Sequence, residues 1–345
     1  MPKETDPVSL HPFEQLTPDF LLDALQSVGV RGDGRLLGLN SYENRVWQVG
    51  LEDGSSLIAK FYRPHRWTPG QIAEEHVFAR QLVQAEVPVV APMMLPDGQT
   101  RHDYQGFQFA LFPRRGGRAP ELDRAGTLER MGYFLGRLHA VGAQQPFLER
   151  PALSVQEFGL EPRRFLRASG LIPAELEPAW SAISQQALDL VGAAWLRAQT
   201  YGEIESTRLH GDCHPGNVLW TDQGPHFVDL DDARGGPAVQ DLWMLLSGGR
   251  EEMQAQLSEV LRGYQAFRGF NPAELALIEP LRTLRLLHYS AWIARRWDDP
   301  AFPRNFPWFG GNRYWQDRIL ELREQVALLQ EPPLALAHLD GSSRP

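Results

Sequence analysis

Residues 208–220 read RLHGDCHPGNVLW, and the eight positions 210–217, HGDCHPGN, hold two histidines, an aspartate, the chain's single cysteine and an asparagine. Such a density of polar side chains has three possible explanations: a zinc site, a polar turn without chemistry, or a loop that handles phosphate. His210, Asp212 and His214 alternate, and with Cys213 they offer ligands suited to zinc. Their spacing speaks against it, because alternate residues share a face only in an extended strand and Pro215-Gly216 turns the chain directly afterwards. No other His/Cys group in the chain completes a ligand set with recognisable spacing.

Phosphoryl transfer accounts for more of the stretch. It needs an aspartate to accept a hydroxyl proton, an asparagine about five positions on to hold a metal ion, and a second metal-binding carboxylate nearby. Asp212 is followed at the fifth position by Asn217, the spacing of the H-R-D-x-x-x-x-N loop of protein kinases. Downstream, NVLW and HFVDL bracket TDQGP, so a hairpin is expected that delivers Asp229 at the end of its second strand. Magnesium is a hard cation satisfied by a carboxylate, an amide oxygen and phosphate oxygens, which suits Asn217 and Asp229.

The same chemistry needs a cation on the phosphates and a carboxylate to position it. Working upstream, VWQVGLE and SSLIAKFY flank the hairpin signal Asp53-Gly54, and residues 35–62 are expected to form three antiparallel strands. Lys60 falls late in the third. TPGQIAEEHVFARQLVQAE then has helical spacing and presents Glu75 as the partner for Lys60, with Glu74 the competing choice. Thr17-Pro18-Asp19 starts an earlier helix, and GFQFALFP is a further strand stopped by Pro113.

After the turn-rich PRRGGRAPE the pattern becomes helical, over 125–143, 174–199, 238–247, 251–268, 272–296 and 313–330. The expected class is α+β with two lobes: a small antiparallel, β-rich N-terminal lobe (1–113) and a larger helical C-terminal lobe (114–330). The second contains the catalytic loop 208–220 and a metal-binding hairpin 218–232, and residues 331–345 are expected to form a tail.

Composition excludes several classes. With 43% hydrophobic residues, a formal net charge of −9 and no basic run, the chain carries no electrostatic footprint for nucleic acid or an anionic membrane. SAWIARRWDDPAFPRNFPWFGGNRYW mixes aromatics with arginines, but the overall acidity favours core and loop anchors that shape an acceptor site near the cleft. One cysteine forms no internal disulfide, no signal-peptide pattern opens the chain, and no apolar run approaches the roughly 20 residues of a membrane span. A cytoplasmic monomer is expected.

LNSYENRVWQV, AKFYRPHRWT, EEHVFARQL, LHGDCHPGNVLW, FVDLDDARGGPAVQDLWMLLSG and DPAFPRNFPWF together resemble a family of bacterial serine/threonine kinases of stress defence. These are built on the fold shared by aminoglycoside phosphotransferases and choline kinases, and the resemblance runs from about residue 10 to residue 334. It implies ATP and magnesium as cofactors, Asp212 as proton acceptor, Asn217 and Asp229 as magnesium ligands with Asp229 also catalytic, and a protein Ser/Thr hydroxyl as acceptor. Ser41, in LNSYEN, matches the position placed at the ATP phosphates, although that loop has no glycine, unlike ordinary protein kinases. Asp241 resembles the family's helix-borne aspartate that steadies the catalytic loop. Asp231 and Asp232 are expected to hold local loops or pair with Arg234, His210 to pack beneath the loop, and Cys213 to fill space or make activity redox-sensitive. Two other functions remain open: a small-molecule hydroxyl kinase of the aminoglycoside, choline or homoserine type, and a nucleotide-responsive binding protein with little turnover.

Overall fold

A computed structural model of the chain describes residues 12–336. Thr17 caps the first helix, α1 (Pro18–Ser27), by accepting the Phe20 N–H at 3.2 Å. Strands β1 (Gly32–Gly38), β2 (Arg45–Leu51) and β3 (Ser56–Phe61) follow, then α2 (Pro69–Gln84), β4 (His102–Tyr104) and β5 (Phe107–Pro113). The five strands form one antiparallel sheet in the order β1-β2-β3-β5-β4. With only three residues, β4 is too short to show a period and was not expected.

Alternation along β3 decides what the sheet presents. Leu57, Ala59 and Phe61 point into an apolar core with Leu21 and Leu25 of α1, whereas Ile58 and Lys60 line the cleft on the other face. Helix α2, started by a Thr68–Gln71 capping box, joins the two lobes. Its Ile72 packs with Tyr62 and Ala110 of the small lobe, and its Phe78 and Leu82 belong to the core of the large one.

The large lobe contains α3 (Thr127–Gly142), α4 (Glu161–Ser169) entered through a π-helical turn at Gln156–Leu160, and α5 (Glu177–Tyr201). Short strands β6 (Thr207–Leu209), β7 (Val218–Thr221), β8 (Gly224–Phe227) and β9 (Arg234–Gly236) come next. Helices α6 (Val239–Trp243), α7 (Arg250–Tyr264), α8 (Ile278–Ala294), α9 (Ala301–Asn305) and α10 (Asn312–Leu328) complete it. Helices α3 and α7 touch backbone to backbone, since a Cβ on Gly132 would collide with the Val260 carbonyl.

Two expectations need correcting, and one strand pair was not expected. The helix expected over 272–296 begins as a 3-10 segment, Pro272–Leu277, opened by Pro272 and capped by Asn271. The hairpin strands are displaced from NVLW and HFVDL: β7 begins one residue later, at Val218, and β8 ends at Phe227, so Asp229 lies beyond the strand. Strands β6 and β9 pair across the catalytic segment, an arrangement that three-residue strands do not announce. Of the expected tail, residues 337–345 lie outside the described residues. No helix among the described residues is long and apolar enough to cross a membrane.

Candidate active site

The loop after β6 is held from below. Asp241, fully buried at the start of α6, accepts the backbone N–H of His210 at 2.8 Å and of Gly211 at 2.9 Å. His139 of α3 reaches the same carboxylate at 3.0 Å and the Tyr264 hydroxyl at 3.0 Å through its other ring nitrogen. Gly211 has φ +86°, and a Cβ there would strike the Asp232 carbonyl, so the sharp exit from β6 requires glycine. The steadying role that the resemblance implied for Asp241 thus has a concrete geometry.

Within the loop, Asn217 donates its amide to the Asp212 carbonyl at 2.9 Å and approaches Asp212 Oδ2 at 3.4 Å, which leaves its own Oδ1 for a cation. His214 caps the turn by accepting Gly216 N–H at 3.0 Å, and His210 Nε2 lies 2.9 Å from the Val228 carbonyl. Cys213 is buried, and burial pushes its thiol well above the usual range. His210 and Cys213 are therefore committed to packing beneath the loop, and the described residues contain no group of three or more metal-ligating side chains.

Asp229 follows β8 in a left-handed conformation, φ +59° and ψ 62°, rare for a residue with a side chain. That backbone turns its carboxylate, 54% exposed, toward buried Lys60, whose Nζ stands 2.9 Å from Asp229 Oδ1 and 3.1 Å from Asp231 Oδ1. Burial disfavours the Lys60 ammonium, but Asp229, Asp231 and Glu75 outweigh it and raise its pKa well above the ordinary value.

Here the sequence reading is corrected. Glu75 forms its ion pair with Arg150, at 3.4 Å, and acts on Lys60 only as a more distant charge. Arg150 also donates to the Ala233 carbonyl at 2.5 Å and to the Asp231 carbonyl, tying α2 to the segment after Asp229. Glu74, the competing choice, accepts the N–H groups of Leu148, Glu149 and Arg150 at 2.5, 3.0 and 2.8 Å. Asp232 pairs with Arg234 at 2.9 Å, and also with Arg66 at 2.8 Å.

The glycine-free loop between β1 and β2 is fixed by side chains. Ser41 Oγ donates to the Asn44 carbonyl at 3.1 Å, and Glu43 accepts Trp292 Nε1 of α8 at 2.5 Å and Nε of Arg296, just past that helix, at 3.0 Å. Tyr42 meets the Phe306 ring edge-on at 4.9 Å, while Asp299 binds Arg45 at 3.1 Å and Arg63 at 2.8 Å. The segment DPAFPRNFPWF, whose aromatics were expected to be core and loop anchors, straps this loop to the large lobe.

Ser41, Lys60, Glu75, Asp212, Asn217 and Asp229 all line one cleft of about 760 Å³ between the lobes. Its oxygen donors, an amide and a carboxylate, suit a hard divalent cation, and its size suits a nucleotide. Arg285 of α8 joins them without any signal in the sequence: its guanidinium lies 2.5 Å from Asp212 Oδ1. Burial pushes the Asp212 carboxyl up, but the His214 contact and the Arg285 charge prevail and hold it below the ordinary value.

The sequence pattern of the phosphotransferase enzyme family (APH) matches residues 35–278, which contain every residue of this constellation except Arg285 and the strap. The chain belongs to the phosphotransferase family. Stress response kinase A of Escherichia coli (strain K12) is 50% identical to this phosphotransferase over 324 residues, covering 94% of this chain and 97% of the relative. Serine/threonine protein kinase RdoA of Salmonella typhimurium (strain LT2) is 47% identical, with the same coverage. Among solved structures, amicoumacin kinase hAmiN in complex with AMP-PNP, Ca2+ and Ami superposes with a TM-score of 0.69 at 18% identity, over 92% of this chain and 94% of that one. The microcompartment-associated aminopropanol kinase gives a TM-score of 0.66 at 18% identity, over 90% and 96%. At such identities the likeness is one of fold, and the two-lobed α+β class expected from the sequence is the class of this phosphotransferase.

Proposed function

We propose that this phosphotransferase is an ATP-dependent serine/threonine protein kinase of bacterial stress defence, acting in the cytoplasm as a monomer. The observation that carries the chemistry is the convergence of Lys60, Asp212, Asn217 and Asp229 on one interlobe cleft. Half-identity to stress response kinase A over nearly the whole of both chains supports a role in stress defence, and the 47% identity to serine/threonine protein kinase RdoA supports a protein acceptor.

ATP is proposed to lie between an N-terminal lobe of residues 1–113 and a C-terminal lobe of 114–330. Lys60, kept charged by Asp229 and Asp231, neutralises phosphate oxygens, and the Ser41 hydroxyl with its neighbouring backbone amides cradles them. Glu75 supports Lys60 at longer range, through the field it shares with Arg150. Magnesium, when bound, offsets the charge that develops on the transferring group, and Asn217 Oδ1 with the Asp229 carboxylate are the atoms proposed to hold it.

Asp212 orients the acceptor hydroxyl and takes its proton as the acceptor oxygen bonds to the γ-phosphorus. The bond from that phosphorus to the β–γ bridging oxygen breaks, and ADP leaves. Positioning and electrostatics supply most of the rate, with proton acceptance contributing roughly 10²- to 10⁴-fold.

A second reading, a small-molecule hydroxyl kinase, is favoured by the fold's likeness to aminopropanol kinase. Incubation with magnesium and γ-labelled ATP, in the presence of a generic protein acceptor or a panel of hydroxyl metabolites, separates the two. Label on protein supports the first reading and label on a metabolite alone the second. Label nowhere leaves a nucleotide-responsive binding protein.

A further inference from the structure

Helix α8 turns one face to the cleft, with Arg285, His288, Tyr289 and Trp292 at successive helical positions. Tyr289 and Trp292 stack, their rings 5.8 Å apart and 16° from parallel, and form an apolar wall. His288 stacks on Phe158 and stays neutral, because burial and Arg234 push its pKa down to about 3. Arg285 is the charged group of this face. Its side chain is 42% exposed, and Asp212 is its one ion-pair partner among the described residues.

The acidic side chains of the same cleft are already taken. Glu43 pairs with Arg63 and Arg296, Glu75 with Arg150, Asp229 with Lys60, Asp232 with Arg66 and Arg234, and Asp212 with Arg285. Among the described residues that line the cleft, no carboxylate is left without a cationic partner to receive a cationic acceptor. A hydroxyl that is to give its proton to Asp212 must share or displace the guanidinium at Oδ1.

We infer that Arg285 selects the acceptor, and that this phosphotransferase takes a hydroxyl flanked by an anionic group, which draws Arg285 away from Asp212 onto itself. The inference rests on Asp212 being the proton acceptor. An arginine bound bidentately to the acceptor's carboxylate or phosphate recovers the interaction given up at Asp212, whereas an ammonium-bearing acceptor meets a like charge and offers no such exchange. The anion is carried either by acidic residues beside a Ser or Thr in a polypeptide or by a small hydroxy acid.

The test uses the full chain with magnesium and γ-labelled ATP. The acceptors are one serine peptide made with aspartate, alanine or lysine flanks, together with glycerate and choline. The expected result is a kcat/KM for the aspartate peptide at least roughly tenfold above the alanine peptide. In Arg285→Ala that ratio collapses, mainly through a higher KM for the aspartate peptide, and Arg285→Glu inverts the order toward lysine flanks. Damage to the fold would lower all three peptides alike and leave the ratio intact. Transfer to glycerate over choline with no peptide labelled keeps the selection by charge and removes the protein-kinase reading. Equal use of the three peptides, preference for the lysine peptide or choline, or a ratio unchanged in Arg285→Ala overturns the inference. Absence of transfer to every acceptor overturns it together with the function it rests on.

Discussion

Lys60, on a strand of the small lobe, stands 2.9 Å from Asp229, which follows the hairpin of the large lobe. An ion pair thus crosses the floor of the cleft, and Asp231, buried beside it, depends on the same ammonium. Replacing Lys60 by Met leaves Asp231 with Arg66 alone. The expected loss of stability is about 3 kcal/mol, the low end for breaking a buried pair, since one partner remains. Phosphotransfer should vanish together with most of the affinity for ATP. Urea unfolding and nucleotide titration of Lys60→Met check both, and unaltered nucleotide affinity would remove Lys60 from the phosphate site.

Asp241 receives two backbone N–H groups of the catalytic loop as well as His139. Asn in its place has one acceptor oxygen, and its amide nitrogen would face an N–H that it cannot satisfy. Asp241→Asn should cost about 1–3 kcal/mol in stability. It should also lower kcat by on the order of 10²-fold, because Asp212 and Asn217 lose their fixed placement. Affinity for ATP should change little, since Asp241 lies beneath the loop and away from the nucleotide. A normal kcat at reduced stability would make Asp241 a packing residue only.

What the sequence made legible was local. The Asp53-Gly54 turn and the alternation of LIAKFY put Lys60 on a cleft-facing strand, and the Asp212-to-Asn217 spacing put a carboxylate and an amide on one turn. What it left dark was carried by charges far apart in the chain. Arg150 takes Glu75 away from Lys60, Arg285 finds Asp212, and Arg296 finds Glu43, 253 residues away in the chain. Periodicity places an arginine on a helix face but says nothing of which distant carboxylate that face meets. Asp229 was located but not posed, because a left-handed aspartate after a strand leaves no trace in a pattern of apolar residues.

Glu75 is buried beside Arg150, and burial lifts its carboxyl to about 7 despite the nearby cations. The unfolded chain releases that proton near about pH 4.3. Between these values the folded state keeps a proton that the unfolded state has lost, so this group's contribution to stability falls as pH rises through the window and levels off above it. Glu75→Gln does not titrate there. Its stability relative to the parent should improve by about 2–3 kcal/mol between pH 5 and pH 8. A gap independent of pH, measured by denaturant unfolding at both values, would show that Glu75 stays ionised throughout.

Cys213 is fully buried with its thiol pushed up, and both properties suppress the thiolate that oxidants and alkylating agents attack. The native protein should resist thiol-specific alkylation until it is unfolded. Peroxide should affect the activity of Cys213→Ser and of the parent alike. Rapid labelling of the native chain, or protection of activity by the serine substitution, would restore the redox-sensitive role that its place beside Asp212 first suggested.

The most direct measurement compares Asp212→Asn with the parent in two assays on the same preparation, ATP binding in the presence of magnesium and transfer from γ-labelled ATP to a hydroxyl acceptor. The substitution keeps the shape of the side chain and removes the proton acceptor. Binding within about twofold of the parent, with transfer reduced by at least roughly 10²-fold, is the predicted result. Near-normal transfer by Asp212→Asn would contradict the assignment of Asp212 as the base.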